Sequence, residues 1–261
     1  MVRQARFHSS GDGSSLITMA SRNASLKFPL LLAIAAPLAV IVSIAYLNSV
    51  LWTFAIYQVF FCLVAPAVES RLNGRGWREH AVLVGLRRRK TDDGSASSRR
   101  VILAIALGLI TMLVTGGFLV ITRDRFLNPG RLESTLAGWG VSSEQVLIVL
   151  AIMAVLDPAA EELFWRGYFP GRVELAIPSS PAALTVGLPA ALYASYHAAT
   201  IGRLVGDTSG VVVMTGGVLG AGLAWGWLRQ RTHSVWPALL SHTGAVIAYL
   251  AVHLWLTRGK A

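Results

Sequence analysis

Charged residues are scarce in this chain of 261 residues. They make up 14% of the sequence, whereas an ordinary soluble domain contains about 25%. Hydrophobic residues make up 54%, and the mean hydropathy is +0.58. The composition excludes an ordinary soluble domain, and apolar runs of helix length predict an all-α fold, a polytopic transmembrane helical bundle.

Cysteine is almost absent as well, since Cys62 is the single cysteine and lies in an apolar run. The chain cannot form an internal disulfide or a cysteine-based metal cluster. The zinc-peptidase signature His-Glu-x-x-His is also missing. Any chemistry must therefore use carboxylates, histidines or hydroxyl groups.

Acidic residues are fewer than basic ones, 13 against 23, which gives a net charge of +10. The basic residues flank apolar runs and form no basic face with interleaved aromatic residues, so a nucleic-acid partner is not predicted. Many of them fall in 68–100, which the positive-inside rule predicts to be a cytoplasmic loop of a multi-pass protein in the cell membrane. Residues 1–27 are polar and mildly basic, and we expect a disordered cytoplasmic tail there.

The apolar runs predict about seven spans, with six or eight also possible, in a single transmembrane domain at 28–256. The expected spans are about 28–47, 51–67, 101–121, 145–170, 181–200, 211–228 and 234–256. Pro66 and Pro158 predict kinks in the second and fourth spans. We expect Trp225, Trp227, Trp236 and Trp255 at boundaries between lipid and water, where aromatic belts lie.

Three ionisable residues, Glu161, Glu162 and Arg166, lie inside the fourth predicted span. Such groups are rare in spans and each costs about 2.5–3.5 kcal/mol at the bilayer centre. Residues four apart share a helix face, which predicts an ion pair between Glu162 and Arg166 and turns Glu161 elsewhere. A free buried carboxylate suits a general base, although a purely structural ion-pair network fits this segment equally well. Asp157 either joins this site or caps a helix break at Pro158.

Two histidines also lie in predicted spans, His197 in the fifth and His242 in the seventh. A lone histidine on an apolar face is more often a packing residue than a catalyst. Two of them on separate helices, together with the glutamate pair, favour one convergent site. A proton-coupled transporter using these groups as a relay is a further interpretation of the same residues.

These residues resemble three motifs of the CAAX prenyl protease and bacteriocin-processing (CPBP, or Abi) family of intramembrane peptidases. The motifs are Glu161-Glu162-x-x-x-Arg166, then Tyr193-x-x-x-His197, then His242 following Ser234-Val235-Trp236-Pro237-Ala238. The similarity covers about 145–250, which would be the peptidase core. It implies a multi-helix membrane fold and hydrolysis of a peptide bond of a peptide or protein substrate at the membrane.

The resemblance also implies roles for the motif residues. Glu161 would activate a water molecule, and Glu162 with Arg166 would support it. His197 and His242 would orient that water or stabilise the tetrahedral oxyanion. The implied mechanism needs no cofactor, although Glu161, His197 and His242 could together bind a divalent metal such as zinc.

The chain departs from the family's motifs at two positions. Tyr193 stands where Phe is common, which is a mild change. Val246 stands where the family usually has Asn or Asp, one helical turn after the histidine, and valine cannot form a side-chain hydrogen bond. Ser241 or Thr243 would have to substitute. The chain is therefore either active without this group or a catalytically weakened member, acting as a membrane scaffold or immunity protein.

The depth of the proposed site poses a geometric condition. If the fourth span runs from outside to inside, Glu161 lies past its middle, whereas His197 comes late in a helix running the other way. The two depths match only if the fourth helix extends toward residue 172 or a span is kinked.

Overall fold

The computed structural model describes residues 25–87, 97–142 and 144–258, and the described residues are helical with no strand. Most of the predicted N-terminal tail and residues 88–96 of the basic loop lie outside these ranges. We number the helices in chain order. They are α1 (Lys27–Ala45), α2 (Val50–Leu72), α3 (Trp77–Leu83), α4 (Ser97–Phe126), α5 (Pro129–Gly138), α6 (Val146–Glu162 continuing through Leu163–Tyr168 to Phe169–Ala176), α7 (Ala183–Gly187 continuing into Leu188–Val205), α8 (Thr208–Thr232) and α9 (Trp236–Arg258).

Five of these helices, α1, α2, α4, α8 and α9, are long and apolar enough to cross a membrane. The predicted all-α membrane bundle is therefore confirmed. The other two predicted spans correspond to α6 and α7, which contain π-helical turns at Leu163–Tyr168 and Ala183–Gly187, as α2 does at Thr53–Val64. For these two helices, membrane crossing, and with it the count of seven, stays a prediction.

Helix α6 contributes some of the most buried side chains of the described structure. Phe164, Trp165, Tyr168 and Phe169 are each 0% exposed. The outer helices expose apolar side chains instead, such as Leu113 and Ile121 on α4. An apolar exterior around a core that holds the polar residues is what a lipid solvent requires.

Helix α9 contacts α4 at two glycines. A Cβ atom added to Gly244 would collide with the carbonyl oxygen of Gly108. Small residues at such a crossing let helix backbones approach closely in a membrane. Because His242 lies on α9 close to this crossing, the contact fixes the position of that histidine.

Helix α6 extends past residue 172, which is one of the two arrangements that the depth condition allows. The helix continues through its π-helical turn to Ala176, so Glu161 lies near its middle. Isolated π-helical turns occur often at functional sites, and this one directly follows Glu161 and Glu162.

Candidate active site

Glu162 and Arg166 form the predicted ion pair on α6. Arg166 Nη1 donates to Glu162 Oε1 at 2.9 Å, and the two side chains are 1% and 0% exposed. A pair this deeply buried needs further hydrogen bonds to offset the cost of desolvation. His242 on α9 provides one of them.

His242 connects α9 to both glutamates. Its Nδ1–H donates to Glu162 Oε1 at 3.1 Å. Its Nε2 lies 3.8 Å from Glu161 Oε2 and 3.3 Å from the hydroxyl of Tyr193. Since a carboxylate can only accept, Glu162 selects the tautomer that carries a proton on Nδ1. Nε2 is thereby left facing Glu161 and Tyr193.

Glu161 is held through one of its oxygens only. Oε1 accepts a 2.6 Å hydrogen bond from the hydroxyl of Tyr196 on α7. Oε2 is buried and has no hydrogen-bond partner among the described residues. The side chain is 2% exposed, so an oriented carboxylate presents one free oxygen inside the protein.

A chain of donors from α2 and α6 leads to Glu161. Trp165 Nε1–H donates to the hydroxyl of Tyr57 at 2.9 Å. Tyr57 donates to the hydroxyl of Tyr196, which in turn donates to Glu161. Each donor is fixed by the one before it, so the direction of the last hydrogen bond is set by side chains from three helices.

Arg166 lies between two aromatic rings. Its guanidinium carbon is 4.3 Å from the centroid of Tyr193 and 5.1 Å from that of Trp225, distances typical of cation–π contacts. Gly222 makes room for this group, because a Cβ atom there would lie 3.1 Å from Arg166 Nη2. The rings hold the cation where it neutralises Glu162.

We predicted that Trp225 lies at the boundary between lipid and water, but its side chain is buried and only 5% exposed. Its ring stacks on His242 at 4.5 Å between centroids. Its Nε1–H donates to Ser241 Oγ at 2.9 Å. The prediction was wrong because the indole has a buried hydrogen-bond partner. Trp227, Trp236 and Trp255 are half exposed, and their position at the boundary stays a prediction.

His197 contacts the site through aromatic rings. It packs against Tyr193 and Tyr196 with centroid distances of 4.5 and 4.4 Å. Its Nδ1–H donates to the Tyr193 carbonyl at 2.9 Å, which leaves Nε2 as an acceptor in the neutral ring. His197 thus borders the cluster without joining its hydrogen bonds to the glutamates.

Asp157 is on the same helix as the glutamates and accepts a hydrogen bond from the side-chain amide of Gln58. This bond ties α6 to α2 one turn before Glu161. Asp157 therefore takes part in positioning α6 and is not a free carboxylate.

Ser241 does not supply the polar group that is missing at Val246. Ser241 Oγ is engaged with Trp225 and with Thr111 Oγ1, at 2.9 and 2.7 Å. Val246 itself is half-buried. Ser241 therefore orients the indole that stacks on His242 and is not available as the missing polar group.

The buried atoms left without partners describe what the site could bind. Among the described residues these include Glu161 Oε2 and Glu162 Oε2, which accept, and Arg166 Nη2, which donates. Within the same part of the chain, no three His, Cys, Asp or Glu side chains are arranged to hold a metal ion. A molecule that donates hydrogen bonds to carboxylates, as water does, fits these free acceptors.

Four important neighbours were missed by sequence reasoning, namely Tyr57, Trp165, Tyr196 and Trp225. A signal existed for Tyr196, because it follows Tyr193 by three residues and so shares its helix face. Tyr57 and Gln58 form a polar pair inside an apolar run, which was also visible. Their link to Glu161 depends on tertiary packing, which no local pattern shows.

The fold and this cluster define a class of protein: a multi-pass membrane protein with a buried glutamate–histidine site. Residues 143–248 match the family model described as Type II CAAX prenyl endopeptidase Rce1-like. The match confirms the resemblance to CPBP-type proteases, and its range contains every motif residue from Glu161 to His242. No curated protein and no solved structure matches the chain.

Proposed function

We propose that this protein is an intramembrane endopeptidase in which Glu161 activates the water that hydrolyses a peptide bond. The family match supports a CAAX-type membrane protease in general terms. The assignment of Glu161 rests on one observation. Its free oxygen, Oε2, lies 3.8 Å from His242 Nε2.

This separation suits a shared water molecule. An oxygen about 2.8 Å from each atom would hydrogen-bond both, since hydrogen bonds of this kind are about 2.7–3.2 Å long. The water would donate to Glu161 and be oriented by His242. A general base must be within such reach of the proton that it removes.

The reaction follows from these positions. Glu161 takes a proton from the water as its oxygen attacks the carbonyl carbon of the substrate. The oxyanion that forms accepts a hydrogen bond from the Tyr193 hydroxyl. His242 Nε2, which carries no proton in the tautomer that Glu162 selects, accepts a hydrogen bond from the attacking water and orients it. The carbon–nitrogen bond then breaks, and Glu161 passes its proton to the leaving nitrogen.

Glu162, Arg166 and His197 support the reaction without touching the proton that moves. Glu162 fixes the His242 tautomer, and Arg166 neutralises Glu162. His197 keeps Tyr193 and Tyr196 in place and offers Nε2 as an acceptor at the edge of the site. Orientation of a water suits this acceptor better than stabilisation of an oxyanion.

The proposal includes a peptide or protein substrate at the membrane and no cofactor. The N-terminus and the basic segment 68–100 would face the cytoplasm in the cell membrane, as the distribution of Lys and Arg favours. The scissile bond would reach the level of Glu161 within the bilayer.

The test is Glu161→Gln in the purified full-length protein, with a cleavable membrane peptide as substrate. Glutamine keeps the shape and the hydrogen bond from Tyr196 but cannot take a proton. We expect kcat to fall by about 10²–10⁴-fold, the usual contribution of a general base. Glu174→Gln is the matched control, because Glu174 is an exposed carboxylate on the same helix.

A chelator provides a second arm of this experiment. If Glu161 acts directly on water, 1,10-phenanthroline leaves the rate of the unaltered protein unchanged. Loss of activity with the chelator and its return with zinc would instead support metal binding by Glu161, His197 and His242. Unchanged turnover in Glu161→Gln would rule out the glutamate mechanism altogether.

Val246 favours a second candidate function, that of a catalytically weakened membrane scaffold or immunity protein. The site lacks a polar group at this position, and Ser241 is engaged elsewhere. This alternative predicts full biological function in a Glu161→Ala, His242→Ala double variant, which the peptidase would not show.

A further inference from the structure

A second buried polar cluster lies where α1 begins and α2 ends. We call it the Glu69 cluster; its members are Glu69, Arg75, Tyr168 and Arg172. Arg172 Nη2 lies 2.7 Å from Glu69 Oε1, and Arg75 Nη1 lies 4.0 Å from Glu69 Oε2. Arg172 and Tyr168 come from the end of α6, beyond the glutamate pair. None of these residues takes part in the proposed reaction.

The Glu69 cluster contains more donors than acceptors. Arg172 Nε and Nη1, Arg75 Nη1 and the Tyr168 hydroxyl are buried and have no hydrogen-bond partner among the described residues, and the same holds for one acceptor, Glu69 Oε2. Arg172 is 2% exposed and Tyr168 0%. Leaving such groups unpaired costs about 1–3 kcal/mol each, more if they are charged.

The charges of the Glu69 cluster do not balance either. Two guanidinium groups face one carboxylate, which leaves a net charge of +1. Burial and the neighbouring Arg172 lower the pKa of Arg75. Burial and Arg75 also lower the pKa of His80, on the adjacent short helix. An anion at this position would relieve the positive potential.

A cavity opens onto Arg172, one of the residues whose donors are unpaired. It has a volume of about 260 Å³, and Glu69 and Arg172 line it together with Phe28, Val68 and Leu72. A largely apolar groove of about 330 Å³, which Arg71 also lines, adjoins it, because Val68 and Leu72 line both. The charged cavity thus continues into a hydrocarbon-like surface.

The position of this cavity matches the edge of a bilayer. It lies at the ends of two candidate spans, α1 and α2. Leu72 and Trp77 are 83% and 62% exposed next to it. The Arg71 guanidinium covers the Trp77 ring at 4.3 Å, an arrangement of basic and aromatic groups that is typical of the headgroup region.

We propose that the Glu69 cluster binds the phosphodiester of a phospholipid, with an acyl chain of that lipid in the adjoining apolar groove. A phosphodiester carries one negative charge, which balances the net charge of the cluster. Its oxygens accept hydrogen bonds from arginine in paired geometry. The free phosphate oxygens would face Arg172, which lines the cavity, and stay clear of Glu69 Oε2, which would repel them. Arg75 does not line the cavity and would contribute its positive charge from within the cluster.

Binding is tested in the full-length protein, purified in a sugar-based detergent that contains no phosphate. Native mass spectrometry would measure the affinity for dioleoyl phosphatidylglycerol, for dioleoylglycerol and for inorganic phosphate. We expect phosphatidylglycerol to bind at least about tenfold more tightly than dioleoylglycerol, since the latter lacks the charge-assisted hydrogen bonds. Inorganic phosphate, which has no acyl chain, should not compete at equal concentration.

Two arginine variants locate the site. Arg75→Gln should weaken phosphatidylglycerol binding by about tenfold, because it removes the excess positive charge of the cluster and leaves Arg172 balanced by Glu69. Arg78→Gln should not, because Arg78 is exposed on the neighbouring helix away from the cavity. Arg75 is only partly buried, so this variant avoids the risk of misfolding that Arg172→Gln carries.

Three outcomes would overturn the proposal. Equal affinity for phosphatidylglycerol and dioleoylglycerol would show an apolar groove without a phosphate site. Equal losses in the two arginine variants would show attraction by general surface charge. Competition by inorganic phosphate at equal concentration would show an anion site that does not select lipid. None of these measurements involves proteolysis, so their results are independent of the proposed function.

Discussion

Two buried polar clusters share helix α6, and their unpaired atoms are of opposite kinds. In the catalytic cluster, comprising Glu161, Glu162, Arg166 and His242, the free atoms are mainly carboxylate oxygens. In the Glu69 cluster they are mainly arginine and tyrosine donors. Both clusters lie within a bundle whose outer helices are apolar, where unpaired polar groups are costly.

The difference indicates what each cluster can accept. Free carboxylate oxygens attract a proton donor such as water, whereas free guanidinium groups attract an anion. The catalytic cluster is enclosed by aromatic side chains, and the Glu69 cluster opens into a cavity at the end of the helices. One helix thus presents an acceptor-rich site near its middle and a donor-rich site near its end.

The largest predicted difference between the two clusters is in the free energy of unfolding that is lost when an arginine is replaced. Arg166→Met removes the cation from a closely balanced pair and leaves Glu162 charged and buried. Breaking a buried pair in this way costs about 3–5 kcal/mol. Arg75→Met removes one of two like charges from an unbalanced cluster, and we expect a change within about 1 kcal/mol. Unfolding by sodium dodecyl sulfate in lipid-free detergent would measure both.

Arg78→Met, on an exposed side chain, is the control for general effects of charge removal. The comparison would fail if the Arg166 and Arg75 variants lost equal stability. That result would mean that the Glu69 cluster is a structural ion pair as tightly balanced as the catalytic one.

A smaller effect is expected from the tyrosine hydroxyls. Tyr196→Phe removes the donor to Glu161 Oε1, so the carboxylate loses its orientation. A hydrogen bond to a charged group contributes about 1.5–3 kcal/mol, and we expect kcat to fall by about tenfold or more with little change in KM. Tyr168→Phe removes a buried hydroxyl without a described partner, so it should raise the free energy of unfolding in lipid-free detergent by about 1 kcal/mol.

Tyr249→Phe provides the matched control for activity, because Tyr249 packs on α9 beside Leu119 and Val252, in a separate apolar cluster. Tyr57→Phe should lower kcat less than Tyr196→Phe, and the two losses should not add, since both belong to one hydrogen-bond chain. A rise in KM with unchanged kcat would show that Tyr196 binds substrate and does not position Glu161.

Much of the fold follows from local patterns in the sequence. Long apolar runs mark the helices, because a span needs about 20 such residues, and each of the seven predicted runs falls on a helix. The π-helical turns at Leu163–Tyr168 and Ala183–Gly187 were not predicted. They depend on how α6 and α7 pack, and the short helix α5 was not predicted either.

The candidate site follows from the sequence only in part. The pair of Glu162 and Arg166 was predictable, because residues four apart on a helix are neighbours. The burial of Glu69 could not be predicted, because its partner Arg172 lies far along the chain and on another helix. Trp225 was misplaced for the same reason, since its partner Ser241 belongs to α9.

The smallest predicted effect concerns Val246 and the excess of acceptors in the catalytic cluster. Val246→Asn would add an amide donor one turn after His242, on the same face of α9. A well-positioned oxyanion donor contributes about 10²–10³-fold, but an introduced side chain lacks supporting contacts, and we expect a gain in kcat of about threefold. Val246→Ala controls for the change in volume and should give no gain. If the two variants have equal rates, the position does not face the reacting carbonyl, and Val246 ceases to be a reason to regard the site as weakened.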